Sequence, residues 1–100
     1  MEFSEIDVVA QREYRDGAGR TLTLTLGRPV PDSRPGNAWA CPYAIQLGQE
    51  EPRVREIFGA DALQALFLAL RIVKVDLEVR DREHGPLTWG GEPGLWLDFP

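Results

Sequence analysis

One hundred residues suffice for a single domain, residues 1–100, with one modest core, and at 43% hydrophobic and 27% charged the chain has the make-up of a soluble globular protein. A net charge of −5 argues against non-specific binding to nucleic acid or to an anionic membrane, since both rest on excess Lys and Arg. The single cysteine, Cys41, rules out an internal disulfide and a cysteine-rich metal site.

Residues 1–5 lack the basic and apolar regions of a signal peptide, which points to the cytosol. The apolar run at 60–75 is interrupted by Asp61, Gln64, Arg71 and Lys74, well short of the ~20 apolar residues that a membrane span needs.

Residues 5–14 read as a first strand, with Ile6, Val8 and Ala10 alternating against Glu5, Asp7 and Gln11. Asp16, Gly17 and Gly19 supply a turn. The run Thr21 to Leu26 then alternates without fault, so Leu22, Leu24 and Leu26 face a core and the threonines face outward. The two runs predict a hairpin. Residues 27–37, with Pro29, Pro31 and Pro35, read as a loop.

A third strand follows at 38–47, with Trp39, Cys41, Tyr43, Ile45 and Leu47 on one face. Pro42 cannot donate to a ladder, so it belongs at an edge, at a bulge, or where a neighbour is missing. Residues 53–58 read as a short fourth strand. Asp61 is placed as the N-cap of a long helix, with Gln64 completing a capping box, and Gly85 and Pro86 stop that helix near Arg82. Residues 87–89 suggest a fifth short strand, and the apolar tail at 95–99 should pack back on the body. The predicted fold is α+β: an antiparallel meander sheet of four to five strands, with one long helix packed across one face.

The helix carries more apolar surface than one sheet requires. Leu66, Ala69, Leu70, Val73 and Leu77, flanked by Ala62 and Leu63, form one stripe that should cover the sheet. Leu68, Ile72, Val75 and Val79 form a second, which needs its own cover. The C-terminal tail or the proline-rich loop would supply it internally. A second copy of the chain would supply it as a homodimer, helix against helix, and a groove for another partner is the third possibility.

Catalytic and metal patterns are missing from the sequence. His84 is the only histidine and reads as a surface or capping residue, and Cys41 reads as core packing. The glycines at 90, 91 and 94 open no helix, so they do not form a phosphate loop. Arg53 and Arg55 read as a solvated edge offset by Glu50, Glu51 and Glu56. Asp76 lies between the two stripes, four residues before Arg80, and reads as structural. The outward sheet face around Thr21, Thr23, Thr25, Ala40, Pro42 and Ala44 reads as solvated.

The alternating Trp39, Cys41, Tyr43, Ile45 and Leu47, the helix entry Gly59, Asp61, Ala62, Leu63, Gln64, Ala65 and Leu66 running on to Leu70, and an aromatic strand near the C-terminus together resemble a group of small uncharacterised bacterial proteins. The resemblance covers residues 39–89. It implies a bacterial cytosolic protein with no assigned activity, and some members of such groups look like partner-binding or immunity-type proteins encoded beside toxins.

These readings lead to a non-catalytic protein-interaction module, self-associating or bound to another protein, with Leu68, Ile72, Val75 and Val79 as its interface. No cofactor, metal, nucleic acid or membrane is expected. The alternative is a small ligand-binding domain or enzyme with one pocket near Asp76, His84, Trp89 and Trp96.

Overall fold

A computed structural model describes residues 1–33, 36 and 38–98. Its strands are β1 (Val8–Arg15), β2 (Thr21–Gly27), β3 (Val30–Pro31), β4 (Trp39–Leu47), β5 (Arg53–Gly59), β6 (Thr88–Trp89) and β7 (Glu92–Pro93), with one helix, α1 (Ala62–His84), between β5 and β6. All pairings are antiparallel. β1, β2, β4 and β5 form the expected meander. β6 and β7 return to the free side of β1, so β5 and β7 are the outermost strands.

β2 pairs with β4 through Leu22–Leu47 to Leu26–Tyr43, and β3 continues along the same side of β4 at Val30–Ala40. Between them the chain kinks at Gly27, and Pro42 faces that gap, where no donor is required. Gly27 is needed there. A Cβ on it would come within 2.6 Å of both Ile6 Cγ2 and Pro42 Cγ.

The leucines of β2 and the odd-numbered residues of β4 face the helix, as their alternation dictates. Tyr14, Leu22, Leu24, Tyr43, Ile45, Val73, Leu77 and Leu87 form the main core. At the entry of α1, Asp61 accepts from the Gln64 N–H at 2.7 Å, and Gln64 Oε1 accepts from the Ala60 N–H at 2.6 Å. The capping pair therefore forms with its return bond one residue further upstream than expected. The helix runs to His84, two residues past its expected end. Asp81 holds the chain beyond it by accepting from the Leu87 N–H at 2.8 Å.

The structure corrects three details. The face of β1 that meets the core is carried by Tyr14; Val8 and Ala10 are exposed, and the register shifts between them. Leu63 is exposed, and the buried line of α1 is Ala65, Ala69, Val73 and Leu77, spaced by four. At 3.6 residues per turn such a line drifts around the helix, which suits packing against a twisted sheet. Finally, the outward sheet face is not simply solvated. The N-terminal segment, with its short 3-10 turn at Phe3–Glu5, lies over it, and Ile6, Thr25, Ala40, Pro42 and Ala44 are buried there. Gln11 donates to Thr25 Oγ1 at 3.0 Å, and the Met1 ammonium reaches Glu56 at 3.5 Å.

Candidate functional site

The side chains under α1 grow along its length, from Ala65 and Ala69 to Val73 and Leu77. At the narrow end Cys41 packs with both alanines, and a Cβ on Gly59 would lie 2.8 Å from Ala65 Cα. The helix is therefore tight on the sheet at its start and stands further off toward its end. On the outer side of that wider end, between α1 and β5, a groove of about 730 Å³ opens.

Its walls are Arg53, Val54 and Arg55 from β5, Ile45 from β4, and Ile72, Val75, Asp76, Val79 and Arg80 from α1. Three of the four residues of the second helix stripe are thus in it, with Val75 56% exposed. Leu68, the fourth, is half-buried and lies outside the groove. The described part of the tail does not cover this stripe. Leu95 and Leu97 pack against the main core, and Leu97 lines a separate depression of about 140 Å³ with Leu24, Leu26, Leu70 and Val73 on the β1–β2 side of the helix. The tail is fixed there by Tyr14 Oη donating to the Leu95 carbonyl at 2.6 Å and Arg12 Nη1 to that of Trp96 at 2.8 Å. Phe99, with Arg34, Pro35 and Asn37 of the proline-rich loop, lies outside the described residues.

A chain of polar contacts runs along the groove floor. Arg55 Nη1 donates to Tyr43 Oη at 3.2 Å, Tyr43 Oη donates to Asp76 Oδ2 at 3.0 Å, and Arg80 Nε donates to Asp76 Oδ1 at 3.1 Å. Burial, reinforced by the Asp76 carboxylate, pushes the Tyr43 phenol up to about 12, so it stays protonated and keeps donating. Asp76 is therefore engaged by a phenol and a guanidinium, and its structural reading fits. Arg53 has no hydrogen-bond or ion-pair partner among the described residues.

None of the acids expected to offset Arg53 and Arg55 lines the groove itself. Glu56 points to the opposite sheet face, toward the Met1 ammonium. Glu50 and Glu51 line an adjoining depression with Arg20, Leu47 and His84, which meets the groove at Ile45, Arg53 and Arg80. The groove proper thus holds three guanidinium groups and one carboxylate. Alternation on β5 carries the signal for this: Arg53 and Arg55 pair with Ile45 and Tyr43, so they share the face that meets the helix.

The residues of the alternative pocket are dispersed. Asp76 lies in the groove and His84 in the adjoining depression. Trp89 and Trp96 are on the β6–β7 side of the sheet, 6.3 Å apart between ring centroids, with Arg12 4.0 Å over the Trp89 ring. Among the described residues the four line separate surfaces rather than the single pocket expected of them.

Cys41 is fully buried, and burial pushes its thiol up to about 11, so it is a protonated packing group rather than a nucleophile. Among the described residues no cluster of three or more His, Cys, Asp or Glu side chains could hold a metal, and no helix is long and apolar enough to cross a membrane.

No curated protein and no solved structure matches the chain. One family model does, over residues 10–100, spanning β2 through β7, α1 and nearly all of β1. The chain belongs to that family, described as a domain of unknown function, DUF6968.

Proposed function

We propose that the chain is a non-catalytic protein-interaction module whose contact surface is the groove between α1 and β5. The observation that carries this reading is the uncovered second stripe: Ile72, Val75 and Val79 lie beside an outermost strand, and the described tail packs on the other flank of the helix. An apolar strip bordered by charged residues is the usual make-up of a protein contact surface.

The same composition suits chemistry poorly. The groove's one carboxylate is held by Tyr43 and Arg80, and its other polar side chains are arginines, which carry donors only, so it offers no free side-chain base. A small-ligand site is the weaker reading, because Asp76, His84 and the two tryptophans line separate surfaces.

Self-association helix to helix along Leu68, Ile72, Val75 and Val79 is one form of this function, as a cytosolic homodimer. An immunity-type role beside a toxin is another, and it has the resemblance alone behind it. Light scattering of the chain over a range of concentrations, with Val75→Asp as comparison, tests the first. A dimer that Val75→Asp converts to a folded monomer supports it, and a wild-type chain that stays monomeric at high concentration removes it. The general reading predicts that Val75→Asp abolishes association with whatever protein binds this face while leaving the fold intact. A bound protein whose affinity is unchanged by Val75→Asp contradicts it.

A further inference from the structure

We propose a binding site for a quaternary ammonium group in the cleft between Trp89 and Trp96, with Glu92 as its counter-charge. The cleft lies on the β6–β7 side of the sheet, apart from the α1–β5 groove, and needs neither Asp76 nor His84.

The β6–β7 hairpin builds one wall. Gly90 and Gly91 both have positive φ, 61° and 85°, and close the hairpin through the two-residue turn that suits a twisted ladder. Trp89 and Glu92 are then directly opposite, so their side chains stand on the same face.

The tail builds the other wall. Trp96 holds φ at 56°, a left-handed conformation in which a bulky residue is an outlier. It is pinned there from β1: Arg12 Nη1 donates to its carbonyl at 2.8 Å, and Tyr14 Oη donates to the Leu95 carbonyl at 2.6 Å. Both indoles stay about half exposed and, with Gly90 and Glu92, line a cleft of about 260 Å³. Their centroids are 6.3 Å apart and their planes are inclined at 55°. One group seated between them can lie within the ~6 Å of both centroids over which an aromatic ring attracts a cation.

Charge selects the occupant. Arg12 sits 4.0 Å over the Trp89 ring, so the molecule itself already places a cation on an indole face. Arg12 does not line the cleft, so it covers the rear of Trp89 and leaves the cleft side open. Glu92 opposes that positive charge from the cleft side. It is exposed and has no hydrogen-bond or ion-pair partner among the described residues. An anion would meet it as like charge, and a neutral apolar ring would leave it unmatched.

Hydration narrows the class of cation. A primary ammonium brings three N–H donors and a guanidinium five, whereas the cleft's side chains offer one carboxylate and two indoles, and an indole carries a donor only. Donors stripped of water without a partner are costly. A trimethylammonium group has no donor to satisfy, and its methyl groups suit the indole faces.

The test titrates choline into the full chain at constant ionic strength, beside the uncharged analogue in which carbon replaces the nitrogen. Indole Nε1–H shifts in 15N-resolved spectra give site and affinity together. Choline should shift Trp89 and Trp96 and bind roughly tenfold more tightly than the analogue. Glu92→Gln should weaken choline about threefold and leave the analogue unchanged. Trp96→Gly, whose backbone accepts positive φ, should abolish saturable binding without moving the urea midpoint. A peptide carrying one trimethyllysine, compared with the same peptide carrying lysine, identifies the carrier. Binding tighter than choline assigns the group to a modified protein side chain, and binding no tighter assigns it to a small soluble molecule.

Equal affinity for choline and its uncharged analogue would overturn the proposal. So would shifts at neither Trp89 nor Trp96, wild-type affinity in a folded Trp96→Gly chain, or equal binding of the lysine and trimethyllysine peptides. Should Trp96→Gly fail to fold, Glu92→Gln decides, and an unchanged choline affinity there overturns the site. Val75→Asp reports on the α1–β5 groove separately, so the two readings stand or fall apart.

Discussion

The two flanks of α1 start from similar apolar material and end differently. Toward β1 and β2, Leu70 and Val73 meet Leu97, and the tail is tied down through Tyr14 and Arg12. Toward β5, Ile72, Val75 and Val79 border an open groove about five times larger, with arginines in place of a covering segment. The tail could close the first flank because β6 and β7 place it beside β1, at the far side of the sheet from β5. Topology, rather than hydrophobicity, determined which stripe the described residues leave uncovered.

That contrast can be tested from the closed side first. Leu77 is fully buried in the main core, so Leu77→Ala should cost about 3 kcal/mol in urea unfolding through lost transfer energy and a residual cavity. A cost below about 1 kcal/mol would mean that the helix is not seated on the sheet as described.

Asp16 gives a smaller effect with a pH signature. It is buried in the β1–β2 turn and accepts from the Ala18 N–H, the Arg20 N–H and the Arg20 guanidinium at 2.8–3.0 Å. Burial alone would raise its carboxyl, but the Arg20 and Ala18 hydrogen bonds outweigh it and hold the group below its ordinary 3.8. The folded-state value is the depressed one. Its contribution is therefore present above about 3.8 and is lost as pH falls from there through the lower folded value. Asp16→Asn should cost about 2 kcal/mol at neutral pH and should flatten the stability profile in that acidic window. An unchanged profile would refute the assignment.

The smallest expected effect lies on the open side. Val75 is 56% exposed, so Val75→Asp should change stability by less than about 0.5 kcal/mol. A loss comparable with that of Leu77→Ala would show that Val75 is packed within the monomer, and the contrast between the flanks would collapse.

Much of the fold was legible because its signals are local. Thr21 to Leu26 alternate so cleanly that only one face can be inward, and the alternation of Trp39 to Leu47 fixes which side of β4 meets the helix. Asp61 and Gln64 mark the helix entry through their own side-chain chemistry. The misreadings came from tertiary geometry. Ala65 adds little to an apolar stripe, yet its small size lets α1 approach Gly59 and Cys41. The two-residue β3 contains Pro31 and has no period to detect.

The candidate site was half legible. The surplus of Ile72, Val75 and Val79 could be seen in helical spacing, but Leu68 falls outside the groove. Arg53 and Arg55 looked neutralised by neighbours in sequence. Strand pleating sends Glu56 to the opposite face, and the turn keeps Glu50 and Glu51 beyond the groove's end.

Amide hydrogen exchange along β5, in dilute full-length protein, tests the central claim most directly. If that edge is open, alternate amides among residues 53–57 exchange nearly as fast as unstructured ones, while those paired with β4 stay protected. Uniform protection of all five, equal to that of β4, would contradict the account, because it would mean that the edge already has a partner.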